Sequence, residues 1–108
     1  MAHAEISKSM MSCIDECLAC YKSCLETVHH CLTLGGQHAS PDHVATLLTC
    51  AEACQASAQA MLLGSSNHAI SCEACAAFCQ LCAESCRSMG NDATMLRCAE
   101  VCDRCAES

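Results

Sequence analysis

Apolar side chains recur at steps of three and four along most of this chain. That rhythm returns again and again to one face of an α-helix. In the stretch SCEACAAFCQLCAESC it is carried by Cys72, Cys75, Cys79, Cys82 and Cys86. An earlier segment carries Cys13, Cys17, Cys20, Cys24 and Cys31, a second holds Cys50 and Cys54, and the last holds Cys98, Cys102 and Cys105. Within each segment the gaps are three, four or seven. Asp15, Glu16, Glu26, Glu52, Glu73 and Glu84 alternate with the cysteines on outward positions, as a solvated face would. The pattern is the core stripe of a helix bundle, with cysteine where leucine normally sits.

Four helices follow from the punctuation. The first is expected from about Ala4 to Leu34 and is stopped by Gly35-Gly36. Ser40-Pro41 starts the second, serine as N-cap and proline at the first helical position, and Gly64 ends it after about Leu63. Ser66 or Asn67 caps the third, which runs to about Met89 before Gly90. Asn91 or Asp92 caps the fourth, which runs to the end of the chain. Abundant alanine and the lack of an interior proline favour helix throughout. The short links predict antiparallel neighbours. The expected fold is therefore all-α, an up-down-up-down four-helix bundle forming one domain over residues 1–108. The likeness among the cysteine-bearing helices suggests duplication of a helix pair. The first helix carries a second stripe, Ile14, Leu18, Tyr21, Leu25, Val28 and Leu32, available for packing between helices or against another subunit.

Composition changes the picture in two ways. Fifteen cysteines in 108 residues would suggest a disulfide scaffold in a secreted chain. Here the count is odd, and the opening MAHAEISKSMM shows neither an apolar signal core nor paired arginines, so a reducing, cytoplasmic setting is expected. The net charge of −7 and the lack of a basic stripe or aromatic platform exclude nucleic acid as the natural partner. The longest uncharged run, Ala53 to Cys72, is too rich in Gln, Ser, Asn and His to span a membrane.

One buried cysteine needs no explanation, since the free thiol packs as a small hydrophobe. A ladder of them points to chemistry. A catalytic thiol is usually singled out by a histidine or a helix N-terminus, and a redox C-x-x-C usually sits near a βαβ unit. Neither applies, so an enzyme is not expected. Soft thiolates select Cu(I), zinc or iron–sulfur clusters. Zinc usually takes two close pairs brought together by turns, and clusters need spacings this chain lacks. Cu(I) accepts two or three thiolates, and i, i+3 or i, i+4 neighbours on one helix are close enough to share an ion. All fifteen cysteines are therefore candidate ligands for many Cu(I) ions per chain. Met10, Met61 and His68 are expected to meet at one end of the bundle as a mouth of soft ligands. His43, Met89 and Met95 are expected at the other end, while His29 and His30 read as surface residues with a secondary option of binding metal and His38 as a loop residue.

The stretches CIDECLACYKSCLETVHHC, CAEAC, CEACAAFCQLCAESC and CAEVCDRC resemble the copper storage proteins, Csp-type bacterial four-helix bundles. The resemblance covers nearly the whole chain. It implies many Cu(I) ions held by thiolates inside the bundle, assembly as a homotetramer, and a Met and His mouth that Met10, Met61 and His68 would match by position. The family includes cytosolic and exported forms, and the missing signal makes this chain resemble the cytosolic ones. The second helix departs from the pattern: Leu47, Ser57 and Met61 occupy stripe positions beside only Cys50 and Cys54, so the array is expected to be thinner there. Storage or detoxification of copper is the leading reading. A carrier that exchanges copper with a donor or acceptor protein, a zinc or iron–sulfur protein and a thiol redox protein are the alternatives.

Overall fold

In the computed structural model, which describes residues 6–108, helix α1 spans Lys8–Leu34. The expected start near Ala4 lies outside the described residues. Within them, Ser7 is the N-cap, its hydroxyl accepting the Met10 amide at 3.1 Å. Gly35, at φ 73°, ends the helix and returns its own N–H to the Cys31 carbonyl. A side chain at that left-handed φ would be strained, which is why glycine stands there. A short 3-10 turn, Gly36–Ala39, leads to α2, Pro41–Leu62. Ser40 occupies the N-cap position with extended backbone but makes no side-chain cap; Pro41 at the helix start removes one orphan amide instead.

Helix α3 spans His68–Arg87, two residues short of the expected end, because Ser88 and Met89 form a turn before Gly90. Asn67 precedes it without a side-chain cap. Asp92 is the cap of α4, Ala93–Glu107, with Oδ1 accepting the amides of Thr94 at 2.9 Å and Met95 at 3.3 Å.

Each helix packs on its two neighbours in the ring α1–α2–α3–α4, and the diagonal helices share no close backbone contact among the described residues. The result is an up-down-up-down bundle measuring 53 × 20 × 19 Å. Small side chains draw the helices together. Thirteen of the fifteen cysteines are buried, Cys13 and Cys72 being half-buried at one end. Ala51, Ala58, Ala83 and Ala99 fill the seams, and Ile14, Leu47, Met61 and Met95 are the large buried side chains.

The second stripe of α1 divides. Ile14 is buried, Tyr21 and Val28 pack against the core edge, and Leu18, Leu25 and Leu32 face outward at 44, 38 and 58 % exposure. Arg104 reaches Glu16 of α1 at 3.6 Å rather than closing the i, i+4 pair with Glu100 that spacing alone allows. Arg87 pairs with Asp103, tying α3 to α4.

Candidate metal centre

The diagonals of the bundle are bridged by sulfur. Cys20 of α1 lies 3.8 Å from Cys79 of α3, and Cys54 of α2 lies 3.9 Å from Cys105 of α4. Around these crossings the thiols gather in four groups, each with all its sulfurs within 4.8 Å of one another. From the α1 N-terminal end they are Cys54, Cys75, Cys79 and Cys105; then Cys20, Cys50, Cys54 and Cys79; then Cys20, Cys24, Cys50 and Cys102; then Cys24, Cys82, Cys98 and Cys102. Successive groups share two sulfurs: Cys54 and Cys79, then Cys20 and Cys50, then Cys24 and Cys102. The ladder predicted from i, i+3 and i, i+4 spacing is thus a three-dimensional chain of edge-sharing quartets. Its closest contacts run between helices as well as along them, from 3.5 Å for Cys75–Cys54 to 4.0 Å for Cys20–Cys24. A tetrahedron of sulfurs about 2.3 Å from a central soft metal has edges of roughly 3.8 Å. The shorter sulfur contacts match that edge, and the longest separations within a quartet stay under 4.8 Å.

The remaining five cysteines extend the chain. Cys17 meets Cys105 at 3.8 Å, and Cys13 and Cys72 lie beyond it toward solvent. Cys86 packs beside Cys82 and Cys98, and Cys31 lies 3.9 Å from the Met95 sulfur.

One end opens in a cleft of about 550 Å³ lined by Met10, Met61, His68, Cys13 and Cys72. The structure thus brings the three expected mouth residues together, with His68 Nδ1 3.9 Å from the Cys72 sulfur. A smaller cavity of about 100 Å³, lined by Cys13, Cys17, Ser57, Cys72, Cys75 and Cys105, continues inward. Soft donors therefore line a path from solvent to the first quartet. Ser57 interrupts them, its hydroxyl donating to the Cys72 sulfur at 3.2 Å.

The other end holds His43, Met89 and Met95. His43 is buried, with Nδ1 2.6 Å from Ser85 Oγ and Nε2 without a partner among the described residues. Burial, with the nearby His38, holds its pKa below the usual histidine value. Met95 is fully buried and Met89 half-buried; His29 is exposed. His30 and His38 are not isolated surface rings. Both point Nε2 at Asp92 Oδ2, at 2.8 and 3.0 Å. No periodicity links residues 30, 38 and 92; only the two links at this end bring them together.

Neighbouring sulfurs and burial raise the pKa of Cys17, Cys24, Cys31, Cys54, Cys79, Cys82, Cys86 and Cys102, and neighbouring sulfurs lower that of Cys20, Cys50, Cys75 and Cys98. Burial, then the charges of Asp92 and Cys98, push Cys31 up to about 11. At Cys17 the Cys105 thiol pulls downward, but Cys75 and burial prevail and leave it at about 12. Cys24 is raised, first by its hydrogen bond with Cys102, and Cys86, first by its bond with Cys82. Cys20 and Cys98 are instead shifted downward, each first by its hydrogen bond with the Cys102 thiol. A cation entering this core displaces protons and supplies the positive charge that burial of thiolates demands.

The sequence profile described as Csp, copper storage protein, matches residues 6–108. The chain belongs to the copper storage protein family. Among solved structures, the crystal structure of the Nmul_A1745 protein from Nitrosospira multiformis is similar to it, with 39 % identity, a TM-score of 0.73, and coverage of 90 % of this chain and 94 % of that one. No curated protein sequence matches the chain. Among the described residues, no helix is long and apolar enough to cross a membrane.

Proposed function

We propose that this copper storage family member sequesters many copper ions as Cu(I), bound by the cysteine thiolates of the bundle interior, and acts as a store and a buffer against toxicity, not as an enzyme. The observation that carries this reading is the run of four edge-sharing sulfur quartets in a buried, already folded core. Cu(I) is satisfied by two or three sulfurs, so a thiolate can bridge two ions and the capacity is on the order of one Cu(I) per cysteine. Zinc would need four ligands for each ion, and shared sulfurs would limit its occupancy. Copper is admitted past Met10, Met61 and His68, a thioether and imidazole mouth suited to a soft ion, and passes inward by Cys13 and Cys72. A reducing, cytoplasmic setting keeps the closely packed thiols available. The exposed Leu18, Leu25 and Leu32 supply an apolar seam for a homo-oligomer, a tetramer by family resemblance.

The test is an anaerobic titration of the reduced protein with Cu(I) against a competing chelator, with bound metal counted. Tight uptake on the order of one ion per cysteine supports storage. Saturation at one or two ions identifies a carrier working with a donor or acceptor protein. Zinc that copper fails to displace supports a zinc protein, and disulfide turnover without metal a thiol redox enzyme.

A further inference from the structure

A second group of donors lies outside the sulfur core and contains no sulfur. His30 on α1, His38 in the 3-10 turn and Asp92 before α4 converge at the end of the bundle opposite the mouth, with ligand atoms within 4.8 Å of one another. Their side chains are 30, 21 and 18 % exposed, shielded from solvent yet reachable by a hydrated ion. Asp92 is held in place: Oδ1 is occupied by the Thr94 and Met95 amides, which leaves Oδ2 aimed at the imidazoles. The two rings meet edge to face, at 6.0 Å and 78°, so their Nε2 atoms approach the carboxylate from different directions.

We propose that His30, His38 and Asp92 form a binding site for a divalent first-row cation, with zinc as the ion the site fits. Two imidazole nitrogens and one carboxylate oxygen are a three-ligand set for zinc with a fourth position open to water. Around a tetrahedral ion at about 2.0–2.2 Å, these atoms stand roughly 3.4 Å apart. The present separations of 2.8 and 3.0 Å require an outward shift of about half an ångström. Both histidines direct Nε2–H at one carboxylate oxygen. With the ion bound, each ligates through Nε2 and carries its proton on Nδ1. The donor set is harder than the thiol core and does not compete with it for Cu(I). The bound ion fastens the link after α1 to the start of α4.

The test is addition of Zn(II) to the reduced protein after its thiols have been saturated with Cu(I), with the side-chain nitrogens of the histidines followed by NMR. The expected result is a joint change of His30 and His38 to the Nδ1–H form, complete at one equivalent. His38→Gln leaves the Asp92 cap in place and is expected to weaken zinc binding at least tenfold; His30→Gln serves the same purpose should that variant not fold. Histidines that remain Nε2–H donors throughout, or variants that bind zinc as tightly as the parent, overturn the proposal. The same histidine signals report this site in copper-free protein, so a core that takes no copper and a surface site that takes no zinc are separate outcomes.

Discussion

Cys79 touches Cys20, Cys50, Cys54 and Cys75 at 3.7–3.9 Å and belongs to two quartets, whereas Cys13 is half-buried at the mouth and belongs to none. Their replacements should differ. Cys79→Ala is expected to lower Cu(I) capacity by about two ions, since a bridging sulfur serves two, and Cys13→Ala by at most about one; metal counting after anaerobic loading checks both. Ser57 lies in the wall of the inner cavity beside Cys72, so Ser57→Cys should add about one ion. An unchanged count would place that wall outside the array. His43 gives a pH signature. Its folded-state pKa is lowered, so the unfolded chain takes the proton first, and stability is complete above the unfolded value of about 6.5 and declines as pH falls through the folded one. The slope is at most about 1.4 kcal/mol per pH unit. Urea denaturation of copper-free protein at several pH values should show a shallower decline for His43→Leu than for the parent chain. The placement of the cysteines was legible at this scale because helical spacing sets it, and that of Met10, Met61 and His68 because the short links also fix an antiparallel order. The convergence of His30, His38 and Asp92 was not, because it depends on how two irregular links fold against each other.

At the scale of elements, the punctuation located all four helices, and the departures have local causes. Ser40 sits where a cap belongs but leaves the start of α2 to Pro41, and α3 stops at Arg87 because the turn through Ser88 and Met89 begins before Gly90. Spacing left either Asn91 or Asp92 as the cap of α4; geometry selects Asp92, whose carboxylate serves two amides and two histidines at once. That double duty sets a prediction. Asp92→Ala removes the cap and both imidazole contacts, and should cost about 1–2 kcal/mol. In a domain of this size that lowers the melting temperature by roughly 4–8 °C per kcal/mol. Asp92→Asn keeps a capping oxygen and should lose markedly less. Calorimetry of the copper-free protein distinguishes the two. The outer stripe of α1 was only half legible, since periodicity could not tell that Ile14 turns inward while Leu18, Leu25 and Leu32 remain exposed.

For the whole molecule, the question is whether metal builds the fold or fills it. A small metal-dependent domain folds only when its ligands close on the ion, and its helicity then appears with loading. This bundle has other means of support: continuous helices of 27, 22, 20 and 15 residues, glycine and aspartate ends, and a core in which alanine, Ile14, Leu47, Met61 and Met95 pack among the thiols. A free thiol packs as a small apolar group, and a core of them in close contact needs no ion to remain buried. Loading should therefore leave the far-ultraviolet circular dichroism nearly unchanged while raising the melting temperature, because an ion that binds the folded chain more tightly than the unfolded one stabilises it by about 2.7 kcal/mol at a hundredfold excess over its dissociation constant. Unfolded cysteines also bind copper, which reduces that gain but cannot create helix. A large rise in helicity on loading would mean that the sulfurs assemble around the metal, and the preformed quartets would no longer explain the capacity. Constant helicity with increased thermal resistance is the outcome expected of a container whose walls stand before it is filled.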